Sequence, residues 1–153
     1  MLYEVGMVVL ANISPFLEQI GGIPLGIALG LDPFHAFLIS LCVNVMLFFP
    51  VYFILKFFYD KGLSKIGLFR KYLESARRKG EPYVNKYGTI GLAAFICLPT
   101  PLTGTYTASM VSWLLDLDWR KAVLAVFIGS FVGGLIILAA SLGLFTAIGL
   151  FFK

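Results

Sequence analysis

The sequence predicts an all-α integral membrane protein of two inverted halves, each with a re-entrant helical hairpin followed by a long transmembrane helix. Only 13% of the 153 residues are charged and 59% are hydrophobic, with a mean hydropathy of +0.93. A soluble domain carries about 25% charged residues. The regions 87–115 and 122–152 contain no charged residue at all. Prolines and glycines interrupt two of the apolar regions, which indicates broken helices beside continuous ones.

The first hairpin is predicted over residues 1–31. One arm runs to about Ile13, the break falls in "SPFLEQIGGIP" (14–24), and a second arm runs to Gly30. An arm of about 12 residues reaches roughly 18 Å, about half a bilayer with its interface. The opening residues lack a basic stretch and include Glu4, so we expect no cleaved signal peptide there. The residues expected to form the turn are Pro15, Gly21, Gly22 and Pro24, the last either at the turn or in the first turn of the second arm.

The first crossing helix is predicted over residues 33–59. This run exceeds the roughly 20 apolar residues that a span needs, which allows for tilt. Asn44 lies midway along it. Its carboxamide either hydrogen-bonds a hairpin at a binding site or only holds helices together.

The linker over residues 60–86 holds eight of the twelve basic residues of the chain. Within it, "KIGLFRKYLESARRKG" places apolar side chains on one helical face and most of its basic side chains elsewhere, so we expect an amphipathic helix on an anionic inner membrane surface. Because basic loops stay inside, the linker is predicted to be cytoplasmic. The basic residues are Lys61, Lys65, Arg70, Lys71, Arg77, Arg78, Lys79 and Lys86.

The second hairpin is predicted over residues 87–116, and the second crossing helix over 119–152. The hairpin is broken at "PTPLTG" (99–104), where Pro99, Pro101 and Gly104 are expected to form the turn. In the crossing helix, Gly129 and Gly133 form a small-xxx-small face suited to close helix packing.

The two halves are related by an offset of 86 residues. Identical residues fall in register without a gap over about 36 positions, among them Pro15 with Pro101 and Asp32 with Asp118. With the linker inside, the first hairpin opens outward and the second opens inward. Paired inverted repeats with discontinuous helices are a transporter design.

Glu18 is the main candidate for a binding residue. It is the only carboxylate near the middle of either broken hairpin. Burial in the membrane would favour its protonated form, so that it could exchange a proton or pair with a cation. The alternative is that the first arm is short and Glu18 simply reaches water.

The segment "TPLTGTYT" (100–107) is the second candidate. Thr103 could cap the second arm and leave backbone N–H groups to receive an anion. Alternatively, the hydroxyls only satisfy the broken backbone and neighbouring helices. The candidate residues are Thr100, Thr103, Thr105, Tyr106 and Thr107.

Enzymatic, metal and cofactor chemistry has little support in the sequence. Cys42 and Cys97 lie in apolar surroundings without a CxxC motif, and His35 stands alone at the start of an apolar run. We therefore expect no enzyme activity, no metal, no cofactor and no nucleic-acid partner.

Two segments resemble the signatures of the small multidrug export protein family. "PFLEQIGGIPLGIALGLDP" (15–33) is similar to its first signature, in which a Glu precedes Leu-Arg and Gly-Gly-Ile-Pro-Leu-Gly; Ile20 stands where the Arg is usual. "PTPLTGTYTA" (99–108) is similar to its second, with Leu102 and Ala108 in place of glycines. The resemblance implies a polytopic membrane protein distantly similar to the DedA superfamily, which has paired re-entrant hairpins and is associated with lipid flipping or scrambling. The arginine of DedA-type second hairpins is missing from residues 87–115.

These observations predict a small-molecule transporter or exporter, proton-coupled through Glu18. A lipid flippase or scramblase is the first alternative, and a non-transporting scaffold that uses its basic linker is the second. One chain has few helices to enclose a cavity, so we expect a homodimer, multi-pass in the plasma membrane, that handles a small-molecule or lipid substrate.

Overall fold

The computed structural model describes residues 2–59, 67–98 and 104–151, and these residues form helices without a strand. The all-helical prediction is therefore confirmed. The helices are α1 (Leu2–Ile13), α2 (Glu18–Ala28), α3 (Pro33–Phe58), α4 (Gly67–Cys97), α5 (Thr105–Leu114) and α6 (Trp119–Phe151).

Two of the described helices are long and apolar enough to cross a membrane, over Pro33–Phe57 of α3 and Trp119–Leu144 of α6. This confirms that the two predicted crossing segments form helices capable of spanning a membrane. They run antiparallel, because Phe37 packs edge-on against Phe131 whereas Phe53, later in α3, lies 6.3 Å from the ring of Trp119 at the start of α6. Many apolar side chains on α6 are exposed, as expected of a surface that faces lipid.

The helices α1 and α2 form a close pair joined by a short turn. The Cβ position of Gly26 lies 2.8 Å from Val8 of α1 and 2.9 Å from Ala36 of α3, so a side chain there would force the helices apart. The three helices thus meet at this glycine with their backbones in close approach.

The first turn is shorter than the sequence predicts. Only residues 14–17 interrupt the helices, whereas Gly21, Gly22 and Pro24 lie inside α2. Pro24 has no N–H to donate to the carbonyl of Ile20, but a membrane helix tolerates this when neighbouring groups satisfy the backbone. Gly22 packs against the carboxamide of Asn12, so its small size serves helix packing rather than turning. Pro15 does lie in the turn.

The helix α4 is bent at Gly88 into arms of residues 67–87 and 89–97. Gly88 has φ 58° and ψ −135°, a conformation that residues with a side chain rarely adopt. The second arm packs against α6, where Gly129 faces the carbonyl of Ala93 and Gly133 faces the backbone of Cys97. The small-xxx-small face of α6 therefore packs on α4.

The first arm of α4 is amphipathic, as predicted for the linker. Leu73, Ala76, Gly80 and Val84 are buried, while most basic side chains of the arm are exposed. The apolar face covers α5, since Val111 of α5 contacts Gly80. The apolar face of this arm therefore packs against another helix of the protein.

The corners after α2 and after α5 have the same backbone hydrogen bonds at positions 86 residues apart. The N–H of Leu31 donates to Gly26 and that of Leu117 to Ser112, both at 2.9 Å. In each corner the preceding residue also donates its backbone N–H to the carbonyl three positions earlier, which completes the Schellman pattern. The left-handed residue of that pattern is Gly30 (φ 91°) in the first corner and Asp116 (φ 50°) in the second.

An aspartate begins the long helix after each corner. Asp32 accepts hydrogen bonds from the N–H groups of Phe34 and His35, and Asp118 accepts one from Arg120. Both are N-cap bonds that satisfy N–H groups at a helix start.

Candidate functional site

The carboxylate of Glu18 lies in the interior, at the meeting point of α2 and α5. Glu18 is only 7% exposed, and its Oε2 accepts a 2.8 Å hydrogen bond from the backbone N–H of Thr105. The N–H of Tyr106 also faces this carboxylate. Residues that begin two separate half-length helices are thus in direct contact.

Gly104 makes this contact possible. It precedes α5, no side chain of its own caps that helix, and a Cβ at this position would overlap the carboxylate of Glu18. A negative group is stabilised at a helix N-terminus by the unpaired N–H groups and the helix dipole. Glu18 therefore caps α5 from another helix.

This arrangement corrects the expectation that free N–H groups of α5 await an anion. Two of those N–H groups already face Glu18. Thr100, Thr103, Pro99 and Pro101 lie outside the described residues, so the cap proposed for Thr103 cannot be placed. Thr105 is buried and supplies its backbone to the site, and its hydroxyl has no hydrogen-bond partner among the described residues.

The backbone of Glu18 is strained. Its φ is +40°, in the left-handed region that residues with side chains rarely occupy. Such conformations cost about 1–3 kcal/mol and cluster at functional sites, where the surrounding structure enforces them. Here the contact with α5 holds the side chain inward.

Tyrosines surround the contact on the side of α4 and α5. The hydroxyl of Tyr106 donates to the carbonyl of Ile13 at the end of α1. Tyr72 of α4 and Thr107 of α5 line one small space and lie close enough to interact, although the Tyr72 hydroxyl makes no hydrogen bond of normal geometry among the described residues. Burial, with the charge of Glu18 acting in the same direction, raises the pKa of Tyr72, and the Thr107 interaction opposes the shift. Glu18, Thr105, Tyr106 and Thr107 are therefore brought together as candidate residues.

Further polar side chains are buried nearby in α1, α2 and α3. The Nδ2 of Asn12 donates to Ser40 at 3.0 Å and to the carbonyl of Val8 at 2.7 Å. Gln19 is 6% exposed, and its Nε2 has no hydrogen-bond partner within the described ranges. Asn12 and Gln19 were not predicted as site residues, although each is a polar residue in an apolar segment, the same signal that indicated Asn44.

Asn44 is buried in α3, at 2% exposure. Its Oδ1 has no hydrogen-bond partner in the part of the chain that the structure describes. Ser130 of α6 is buried with an equally unpaired hydroxyl. Both side chains therefore offer hydrogen-bonding capacity inside the helical bundle.

The remaining titratable residues form no metal site within the described ranges, since no group of three or more His, Cys, Asp or Glu occurs there. Cys42 and Cys97 are free thiols. The exposed His35 lies 3.1 Å from Asp32, and hydrogen bonds from its backbone and ring lower the pKa of Asp32.

A comparison with known families matches residues 18–136 to the family described as "Putative small multi-drug export protein". The match begins at Glu18 and includes the contact with Thr105. The chain belongs to this family. Searches of curated proteins and of solved structures find no match. Membership of an export family, together with two helices long enough to span, makes the chain a membrane protein of the small multi-drug export family.

Proposed function

We propose that this member of the small multi-drug export family carries a small molecule across the membrane, with Glu18 as the residue that exchanges a proton or pairs with a cationic group. The observation that carries the proposal is the buried contact between Glu18 and the N-terminus of α5. An intramembrane acid is costly and points to function. Its protonation would weaken the contact, because a neutral carboxyl is a weaker acceptor for the helix N-terminus.

The architecture that we propose for this activity is a pair of inverted hairpins. The pair α1–α2 would form one, and the 89–97 arm of α4 with α5 the other. Support comes from the antiparallel α3 and α6, and from the matched corners 86 residues apart. Half-helices that begin beside each other at the centre are the transporter arrangement in which two repeats can move relative to each other.

The topology follows from the charges. The basic first arm of α4 would lie on the cytoplasmic side of a plasma membrane, so α3 ends inside and α6 begins inside. We propose a homodimer as the working unit, because the six helices of the described residues, two of them span-capable, enclose little space.

Lipid scrambling is the second candidate function, and one feature favours it. An apolar surface groove of about 270 Å³ lies between α2 and α6, with Ser141 as the polar residue of its wall. A lateral groove with polar groups behind it is the form expected for passage of a lipid chain. The lining residues are Ile20, Pro24, Ile136, Ile137, Ala140, Ser141 and Leu144.

The test is reconstitution into liposomes, with uptake of a lipophilic cation and lipid scrambling measured on the same preparation. We expect proton-dependent uptake above empty liposomes, and its loss in Glu18→Gln. The matched control is Glu81→Gln, since Glu81 pairs with Arg77 on the outer face of α4.

The three functions give different outcomes. Scrambling without uptake would replace the exporter proposal by the lipid one. If neither flux exceeds empty liposomes, both fail and the scaffold alternative is left. In that case, recruitment of a partner or of anionic lipid by the basic linker should survive Glu18→Gln and disappear when Arg77, Arg78 and Lys79 are neutralised.

A further inference from the structure

A polar groove and a small cavity adjoin on one face of α4. The groove, of about 290 Å³, is lined by Lys71, Glu74, Ser75 and Arg78. The cavity, of about 10 Å³, is lined by Tyr72, Ser75, Ala76, Lys79 and Thr107. Because Ser75 lines both, the two spaces lie on either side of one serine.

The cavity is suited to a single water molecule. A site needs roughly 10–15 Å³ and two to four polar partners to hold one. Four of the five lining side chains are polar, and three of them carry hydroxyls: Tyr72, Ser75 and Thr107. The fourth, Lys79, is half-buried. Its ammonium disfavours storage of a proton in the cavity, so a water there would pass protons on rather than retain them.

The inner wall of the cavity reaches the first turn of α5, the helix that Glu18 caps. Thr107 is buried in the first turn of α5, two residues after the N–H that Glu18 accepts. Tyr72 is close enough to Glu18 for the carboxylate charge to act on its hydroxyl, and the same holds for Tyr106. Tyr72 of α4 and Tyr106 of α5 are thus the titratable groups on which the charge of Glu18 acts among the described residues, and Lys79 lines the same cavity as Tyr72.

We propose that this chain of hydroxyls is the route by which protons reach and leave Glu18, opening on the basic face of α4. From the groove, a proton would pass by way of Ser75, a water in the cavity, Tyr72 and Thr107. Each group accepts one proton and releases another, so the net change is one proton moved between bulk water and the Glu18 carboxylate. Membrane proton relays end on buried acids such as Glu18, and a hydroxyl or a water can accept one proton while it donates another. The proposal rests on the proposed function, in which Glu18 exchanges protons. It adds the side of the protein from which protons enter and the path that they follow.

The route predicts that hydrogen–deuterium exchange of the Glu18 carboxyl depends on Thr107 and Tyr72. The measurement is infrared spectroscopy of the purified full chain at acidic pH, following the carboxylic C=O band that is absent in Glu18→Gln. We expect exchange about tenfold slower or more in Thr107→Val and Tyr72→Phe, because each removes one hydroxyl while nearly preserving shape.

Two variants control for folding and for general effects. Thr107→Ser restores a hydroxyl and should exchange at the wild-type rate. Thr146→Val removes an exposed hydroxyl that donates to the carbonyl of Leu142 on α6, and should also leave the rate unchanged. Melting temperatures of all variants establish that the slow exchange comes from a folded protein.

Exchange at the wild-type rate in Thr107→Val and Tyr72→Phe would overturn the route, as would the absence of a Glu18 carboxyl band at any acidic pH. The readout requires no transport. Slow exchange in these variants together with no uptake by wild type would support the route and refute the exporter proposal. Uptake by the wild type together with unchanged exchange in these variants would support the exporter proposal and refute the route.

Discussion

The backbone N–H of Thr105 donates a 2.8 Å hydrogen bond to the carboxylate of Glu18, across 87 positions of sequence. The contact joins the start of α2 to the start of α5, and Gly104 provides the space for it. A single side chain therefore connects two helices that lie far apart in the sequence.

Removing the carboxylate should destabilise the protein. In Glu18→Ala, the N–H of Thr105 would be buried without an acceptor, which costs about 1–3 kcal/mol. Glu18→Gln keeps a carbonyl oxygen as acceptor and should cost less. Thermal unfolding in detergent measures both, and a Glu18→Ala variant as stable as Glu18→Gln would contradict the hydrogen bond.

A side chain at Gly104 should displace Glu18. We expect Gly104→Ala to lower uptake as Glu18→Gln does, because the added methyl group overlaps the carboxylate. The double variant should be little worse than either single variant, since residues in contact give non-additive effects. Additive losses would mean that Gly104 acts on something other than Glu18.

The left-handed corner positions should respond to substitution in opposite directions. Asp116→Gly should stabilise the protein by on the order of 1 kcal/mol, because glycine occupies φ 50° without the Cβ penalty. Gly30→Ala should destabilise it by a similar amount, since φ is 91° there. The paired shifts in melting temperature are the measurement. Equal signs would show that the two corners are not equivalent.

The packing of α6 on α4 should not tolerate a methyl group at Gly129. Its Cβ would lie 2.7 Å from the carbonyl of Ala93 and 2.7 Å from Ile96, so Gly129→Ala should cost about 1–3 kcal/mol. Gly143→Ala on the same helix is the control, because nothing lies within 4 Å of its Cβ position. That change should be neutral or stabilising, since alanine is the better helix former. Similar losses at both sites would indicate an effect of helix propensity or expression.

The cap of α3 should lose its effect at low pH. Hydrogen bonds from His35 lower the pKa of Asp32 in the folded protein, so its stabilising effect is present above the ordinary aspartate pKa of about 3.9 and fades as the pH falls through the lowered value. Asp32→Asn should remove this acid-side change while retaining an N-cap oxygen. Thermal unfolding between neutral and acidic pH compares the two. If the stability of Asp32→Asn falls at acidic pH as much as that of the wild type, the pH dependence comes from other groups.

The sequence correctly predicts the membrane class, the two span-capable helices and the amphipathic arm of α4. These features depend on local composition and periodicity, which need no knowledge of what packs against them. It also singled out Glu18 as an acid in an apolar segment.

The partner of Glu18 could not be predicted from the sequence. A hydrogen bond between residues 87 positions apart leaves no local pattern, because it depends on how α2 and α5 pack. The same holds for Gly21, Gly22 and Pro24, which suggest a turn in the sequence but lie within α2. Gly22 shows the physical reason: its missing side chain makes room for Asn12 of the neighbouring helix, and such close approach cannot be distinguished from backbone flexibility in a sequence.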